Sequence, residues 1–405
     1  MSNKKITVVG IGYVGLPAAL LLAKVGHEVV GLDIDQVVVD SVNNKTLVVE
    51  ESLQGLLVDD NVCANFKAST TITPSDVFIV AVPTPLQERS KCSDLSALKS
   101  ALYTIADVLK KGDLVIVEST IPPLTCKELI TPIFENKGFL VGSDIFLAHC
   151  PERLLPGNIL EEITMNMRLV GGVNTESSLR AKSIYESFVK GDIVVTDDVT
   201  AELCKLMENT YRDVNIALAN EIYEVATKIG VNPFEAIRLA NMHPRVDILQ
   251  PGIGVGGHCL PIDPWFISEV DPYDCNLIQT ARRINDSRPH RIASQIRQLV
   301  ASVDNPKILF LGCTYKEETN DIRESPALKI ASLLEGDGYN VTRYDPVADV
   351  GTETSLYELV TAADCVAVLV QHKDMLTEFN DVVSGLKKNQ KHVPIVYKFD
   401  EYLSS

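Results

Sequence analysis

The stretch "GIGVGGHCLPIDPWF", residues 252–266, sets Cys259 and Asp263 four residues apart behind four glycines. A thiolate is the side-chain nucleophile best suited to adding to a carbonyl carbon, and a nearby carboxylate can orient or deprotonate a water. Glycines at 252, 254, 256 and 257 would let backbone N–H groups converge on a bound oxygen or phosphate. A thiolate also needs a neighbouring cation or donors, a part open to His258 or Lys205. The competing reading makes Cys259 a buried small hydrophobe, the usual fate of a free cysteine. On the loop alone the two readings stand level. The other eight of the nine cysteines read as packed thiols, and Trp265 at the end of the stretch has no chemical role.

Lys205, Asn209 and Arg212 are spaced i, i+4, i+7 in a segment that reads as a helix, so they share one face. Taken alone, that face favours a solvated polar stripe over the wall of a polar pocket. Gly10, Gly12 and Gly15 form GxGxxG between a strand and a helix, and Asp33 ends the next strand, eighteen residues beyond Gly15. Those glycines suit a tight turn, close approach of a pyrophosphate and close helix–sheet packing. The helix N-terminus favours the phosphate, and an acid at Asp33 suits two ribose hydroxyls and repels a 2′-phosphate, so NAD is expected over NADP. Thr120 in "ESTIPPLT" ends a strand at the carboxyl edge of the sheet, where ligands lie, while Glu152 and Arg153 in "HCPERLLPG" and Lys316 and Arg323 in "TYKEETNDIRES" follow strands; taken alone, each reads equally as a surface loop.

The elements that must position these residues follow from periodicity. Strand candidates "KITVVG", "HEVVGLD", "DVFIVAVP", "GDLVIVES" and "IFLAHC" alternate with helical patterns over the first 195 residues, implying βαβ units and a parallel sheet. From Thr200 to Gly230 no proline or internal glycine interrupts the chain, which predicts one long helix with Gly230 as its C-cap. A second helical stretch covers "NLIQTARRINDSRPHRIASQIRQLVAS". Strand and helix alternate again through "KILFLGCTY", "SPALKIASLLEGDGYNVTRYD" and "ADCVAVLV". The expected fold class is α/β, with two Rossmann-like domains joined by a helical middle, divided at 1–195, 196–302 and 303–405.

The chain has 405 residues, 46% of them hydrophobic, with no window approaching eighteen uncharged apolar residues, so a membrane span is not expected. A formal charge of −17 argues against nucleic acid, whose phosphates need clustered Lys and Arg. An odd cysteine count with no CxxC pair argues against a disulfide framework or a zinc ribbon, so no metal is expected and a reducing cytoplasm is the natural compartment.

"GIGYVG", "VPTP", "EST", "PERLLPG", "AELCKLMENT", "GVGGHCLPID" and "TYKEETNDIRES", in that order, resemble the motifs of the UDP-glucose/GDP-mannose dehydrogenase family of nucleotide-sugar 6-dehydrogenases. The resemblance implies an NAD domain, a central helix used for homodimerisation and a C-terminal domain contacting UDP. It implies a four-electron oxidation of sugar carbon 6 to a carboxylate, consuming two NAD. Cys259 would form a thiohemiacetal and then a thioester, with Lys205 and Asn209 facing developing oxyanions. Asp263, Thr120 and Glu152 would position or activate waters, and the base role among Lys205, Asp263 and Glu152 stays open. Cofactor contacts would come from Gly10, Gly12, Tyr13, Val14, Gly15, Asp33, Thr84, Thr120 and Arg323. Substrate contacts would come from Arg153, Leu154, Lys205, Asn209, Arg212, His243, Arg245, Gly256, Tyr315 and Lys316, with Arg245 able to reach a neighbouring subunit's site. The UDP-glucose and GDP-mannose branches carry a second acid where this chain has Pro156; "PERLLPG" resembles the branch acting on N-acetylated UDP-sugars, with the mannosamine sugar as best guess and UDP-N-acetyl-D-glucosamine or UDP-glucose as the alternatives.

Overall fold

The computed structural model describes residues 3–46, 51–153, 158–351, 354–389 and 392–399. Leu154 and Pro156, both singled out in the sequence, lie outside the described residues. The chain forms two compact units, Met1–Glu208 with Trp265–Pro272, and Asn209–Pro264 with Tyr273–Ser405.

The first unit is built on eight strands: β1 (Lys5–Val9), β2 (Glu28–Leu32), β3 (Phe66–Ser69), β4 (Val77–Val80), β5 (Leu114–Val117), β6 (Phe146–His149), β7 (Arg168–Gly172) and β8 (Ile193–Asp197). Their order is β3-β2-β1-β4-β5-β6-β7-β8. The central strands "VFIV" and "LVIV" are buried along their whole length, the pattern of strands covered on both faces. Alternate residues feed two clusters: Ile6, Val8 and Ile79 enter one, while Val9, Phe78 and Val80 enter the other. Each such side chain taken fully from water contributes on the order of 1.5–3 kcal/mol.

All five strands anticipated in this region form. β3, β7 and β8 are not among the expected strands: β3 and β8 are partly exposed, and β7, though buried, ends in two glycines. The sheet is also not wholly parallel, because β7 pairs antiparallel with β6 through Ala148–Gly172 and His149–Gly171. Close packing requires both glycines of β7: a Cβ on Gly171 would lie 2.3 Å from the Asp197 carbonyl oxygen. The strand order reverses between β1 and β4, which places a crevice at their carboxyl ends.

The long helix runs Asp198–Lys228, two residues ahead of expectation, and begins within the first unit. Gly230, at φ 76°, takes the left-handed conformation that ends it, and the Val231 N–H reaches back to the Ala226 carbonyl. In the second unit a helix over Asn276–Leu299 is followed by β9 (Lys307–Leu311), β10 (Asn340–Tyr344), β11 (Cys365–Val368) and β12 (Ile395–Lys398). They form a parallel sheet in the order β10-β9-β11-β12. Between β9 and β10 the helix Pro326–Gly336 opens with proline in its first turn and the Ser325 hydroxyl accepting from the Leu328 N–H.

Candidate functional site

In the first unit the turn after β1 is built by three glycines with separate tasks. Gly10 sits at φ 87°, and a Cβ there would lie 2.6 Å from the Ala81 carbonyl oxygen beyond β4. A Cβ on Gly15 would lie 1.9 Å from the Gly10 carbonyl oxygen, so the helix Gly15–Lys24 starts close against the turn. Around Gly12 no atom lies within 4 Å of such a Cβ. That open space at a helix N-terminus fits a pyrophosphate, while the other two glycines serve the protein's own packing. Tyr13 and Val14 complete the turn, half-buried. The Asp33 carboxylate, at the end of β2, accepts from the Ile11 N–H at 3.2 Å and the Asp35 N–H at 3.0 Å. It is thereby fixed beside the turn with acceptor capacity left for ribose hydroxyls. The residues present fit a dinucleotide.

The loops after β4 and β5 are tied together by Thr84, whose hydroxyl donates to the Thr120 carbonyl at 2.6 Å. Beside them lies a buried cluster. The Arg168 guanidinium, 4% exposed at the head of β7, reaches Glu152 at 2.5 Å and Glu118 at 3.4 Å. Glu118 also accepts from the Tyr185 hydroxyl at 2.7 Å, and the Arg168 guanidinium lies 4.5 Å from the centroid of that ring. Burial, opposed by Arg168 and assisted by Glu152, pushes the Glu118 carboxyl up to about 7. Glu152 is thus held from behind by a cation, and its Oε1 accepts the Arg153 N–H at 2.8 Å. Arg153 in turn pairs with Glu208 at 2.7 Å.

Lys205 and Asn209 are buried, 7% and 8% exposed, so this stretch is no solvated stripe; Arg212, one turn on, is exposed. Near Lys205, His149 at the end of β6 is fully buried, and burial together with the Lys205 charge lowers its imidazole to about 3. On the same helix, buried Glu202 caps the backbone around Cys126, accepting from the Leu124 and Cys126 N–H groups at 2.7 and 2.8 Å. Trp265 acquires a structural place: the Lys91 ammonium lies 5.8 Å from its ring centroid, and Glu269 one turn later accepts twice from Ser93.

In the second unit a turn links Cys259 to Asp263, whose N–H donates to the Cys259 carbonyl at 2.9 Å. The helix Asp263–Val270 starts there. The Asp263 side chain is buried and accepts from the Asn209 amide at 2.6 Å, so a helix residue and the cysteine loop meet in one hydrogen bond.

The glycines of this loop serve the protein's own packing. A Cβ on Gly256 would lie 2.8 Å from each of the Glu324 carbonyl oxygen, Pro326 Cδ and Tyr315 Cβ. On Gly257, at φ 83°, it would lie 3.2 Å from the Tyr315 ring, and on Gly254 it would lie 2.9 Å from Pro326. At three of the four glycines the space of the missing Cβ is thus taken by the protein's own Tyr315–Pro326 segment. Gly252 donates to Asn220.

The segment after β9 carries Tyr315, half-buried, and Lys316, exposed. Burial, followed by Asp321 and Cys259, pushes the Tyr315 phenol up. Arg323 holds Asp321 through Nε at 2.9 Å and a terminal nitrogen at 2.6 Å, and this pairing raises the guanidinium further. His243 and Arg245 lie exposed on the turn after the helix Pro233–Ala240.

Comparison with known proteins covers almost the whole chain. Residues 4–189 match the NAD binding domain of the UDP-glucose/GDP-mannose dehydrogenase family, residues 199–287 its central domain, and residues 309–398 its UDP binding domain. The chain belongs to that family. A UDP-N-acetyl-D-mannosamine dehydrogenase of Methanococcus maripaludis is 45% identical over 379 residues, 91% of this chain and 86% of that protein. An NDP-N-acetyl-D-galactosaminuronic acid dehydrogenase of Ralstonia solanacearum is 44% identical over 82% of this chain and 80% of its own length. Among solved structures, the UDP-D-ManNAc dehydrogenase of Pyrococcus horikoshii superposes with a TM-score of 0.90 at 40% identity, covering 98% of this chain and 96% of that one. The UDP-N-acetyl-mannosamine dehydrogenase of Staphylococcus aureus gives 0.88 at 41% identity, with 98% and 99% covered.

For this member of the family, the sequence motifs omitted Arg168 and Tyr185, and His149 stood unmarked at the head of "HCPERLLPG". Glu118 stood inside the quoted "EST" and could have been marked as a charged residue ending a buried strand. Nothing in "MNMRLVGG" marks Arg168, whose partners lie 16 and 50 residues away. No helix of the described residues is long and apolar enough to cross a membrane.

Proposed function

We propose that the protein oxidises carbon 6 of a UDP-N-acetylhexosamine to the carboxylate, with UDP-N-acetyl-D-mannosamine as substrate and its uronate as product. The Asn209–Asp263 hydrogen bond carries the reading, because it fixes a carboxylate one turn beyond Cys259 in a chain whose other unit has the dinucleotide turn. Names and identities of relatives about 45% identical support the sugar class. NAD, held by the Gly10–Gly15 turn and Asp33, supplies the hydride acceptor, two equivalents per sugar.

The Cys259 thiolate adds to the carbon-6 aldehyde to form a thiohemiacetal, and at the acid level the same sulfur holds the sugar as a thioester. Lys205 and Asn209 offer donors to the oxyanions that develop at carbon 6. Asp263 orients the water that releases the acid, and Thr120 and Glu152 position water, Glu152 being held by Arg168. Tyr13, Val14, Thr84 and Arg323 complete the cofactor contacts. Arg153, Leu154, Arg212, His243, Arg245, Gly256, Tyr315 and Lys316 complete those to the UDP-sugar. A few placed cations thus serve an anionic substrate in a chain of charge −17.

The three segments 1–195, 196–302 and 303–405 are the NAD-binding, central and UDP-binding domains of this reading, supported by the family matches. A second copy of the chain covers the exposed apolar face of the central segment. There Ile222, Val225, Ile229 and Val231 line a groove of ≈ 470 Å³. The nine cysteines are free thiols, which suits a reducing cytoplasm, and the product suits a surface-polysaccharide precursor.

The relative from Ralstonia, nearly as similar, favours a galactosamine-derived sugar as the second reading. A panel of UDP-sugars with NAD tests both: the mannosamine sugar should give two NADH per acid formed. A stoichiometry of one NADH per ketone would overturn the reaction class, and preference for a galacto or gluco sugar would overturn the substrate.

A further inference from the structure

The second sheet repeats the turn geometry of the first. The Gly10 N–H donates to the Leu32 carbonyl at 2.8 Å, and the Gly312 N–H donates to the Tyr344 carbonyl at 3.0 Å. Asp33 follows β2 and accepts from Ile11; Asp345 follows β10 and accepts from Cys313 at 2.6 Å and Thr314 at 3.2 Å. The two acids differ in what remains to them. Asp33 is half-buried beside open space, whereas Asp345 is 1% exposed and also accepts from the Val347 and Ala348 N–H groups at 3.0 and 3.1 Å. Its last neighbour is His372 Nε2, at 3.0 Å. Asp345 therefore faces inward onto a histidine and away from any ribose.

His372 is buried too, and its two nitrogens grip the two ends of one short loop. Nδ1 accepts from the Glu318 N–H at 3.1 Å, so that nitrogen presents its lone pair and the network assigns the ring proton to Nε2. Nε2 lies 3.0 Å from Asp345 and 3.1 Å from the Thr314 hydroxyl. That hydroxyl donates to the Lys316 carbonyl at 2.8 Å, and the Glu318 carboxylate accepts from the Lys373 N–H at 2.8 Å. Glu318 is held at φ 55°, a left-handed conformation that a non-glycine residue keeps only when its surroundings enforce it. Tyr315 and Lys316 lie between these anchors.

We propose that His372 is a positioning residue for nucleotide-sugar binding, clamping Thr314 and Glu318 so that Tyr315 and Lys316 are presented in place. This rests on the reading above that Tyr315 and Lys316 contact the substrate. A loop ordered before binding loses less freedom on binding, and ordering two side chains and their backbone at that moment weakens affinity by roughly ten- to a hundredfold.

The probe is UDP alone, titrated calorimetrically into the full-length protein, with NAD titrated as the control. His372→Gln keeps a donor near the Nε2 position and loses the acceptor for Glu318; it should weaken UDP by about ten- to a hundredfold and leave NAD within about twofold. His372→Asn keeps an acceptor at the Nδ1 position but loses the Nε2 contact with Thr314, and should recover part of the UDP affinity. Thr314→Val, which leaves His372 and Asp345 in place, should weaken UDP in the same way and covers the case in which the histidine variants fold poorly. Equal losses of UDP and NAD, or a lower melting temperature with UDP affinity intact, would overturn the clamp. Lys316→Ala separates the two ideas. If it leaves UDP binding unchanged, the substrate reading of this loop fails. If it weakens UDP while His372→Gln and Thr314→Val do not, the clamp alone fails.

Discussion

Replacing Glu118 with glutamine should remove a pH dependence of stability that the wild-type chain carries. Glu118 is buried in the first unit, and burial pushes its carboxyl from the ordinary 4.5 to about 7 against the attraction of Arg168. The folded state then binds this proton more tightly than the unfolded state does. The group's contribution to stability is complete below 4.5, falls as pH rises towards 7, and is flat above. The whole span corresponds to about 3 kcal/mol, of which about 2.5 kcal/mol falls between pH 5 and pH 8. Glutamine has no proton to lose in this range, and its carbonyl can still accept from the Tyr185 hydroxyl. Losing the attraction to Arg168 shifts the variant's stability, but this loss does not generate the wild type's slope. Glu202, also pushed to about 7 by burial, is present in both proteins and cancels. Urea unfolding of both proteins at pH 5 and pH 8 measures the effect. The difference in stability, variant minus wild type, should rise by about 2.5 kcal/mol between the two conditions. A difference constant within about 0.5 kcal/mol would show that Glu118 is already ionised at pH 5, and the account of one cation shared by two carboxylates would fall.

Two functional predictions follow from the site. Cys259→Ser should abolish steady-state acid formation, followed as NADH release, while NAD and the UDP-sugar still bind; undiminished turnover would remove the covalent step. Asp33→Ala should raise the KM for NAD by roughly ten- to a hundredfold, the loss of a charge-assisted hydrogen bond, with the KM for the UDP-sugar unchanged. Equal rises in both would reduce Asp33 to its structural bonds with Ile11 and Asp35.

The sequence displayed what is local. β1, the glycine turn and Asp33 follow within 33 residues, and the long helix declares itself by a run without proline or internal glycine. The missed strands are those whose evidence is non-local. β8 is half-exposed and, among the described residues, lies at the sheet's edge beside β7. β12 closes the second sheet's edge beside β11. The buried ions were hidden for the same reason. A lone arginine in "MNMRLVGG" carries no mark of the two carboxylates that lie 16 and 50 residues away in the chain.

Glycine and aspartate show the limit more sharply, because the same residue at the same place serves opposite ends. A glycine in a sequence reports only a missing Cβ; whether a ligand or the protein itself fills that space is decided by what folds against it. At Gly12 the space is open, and the reading in terms of an approaching phosphate stands. At Gly256 and Gly257 Tyr315 fills it, so there the missing Cβ lets the cysteine loop and the loop after β9 pack together. Asp33 and Asp345 repeat the lesson in charge. Each directly follows the second strand, in chain order, of its sheet, and both accept from the turn beside them. Burial alone separates them: with open space in front, an acid is placed to read a ribose; with His372 in front, it holds the loop that carries Lys316.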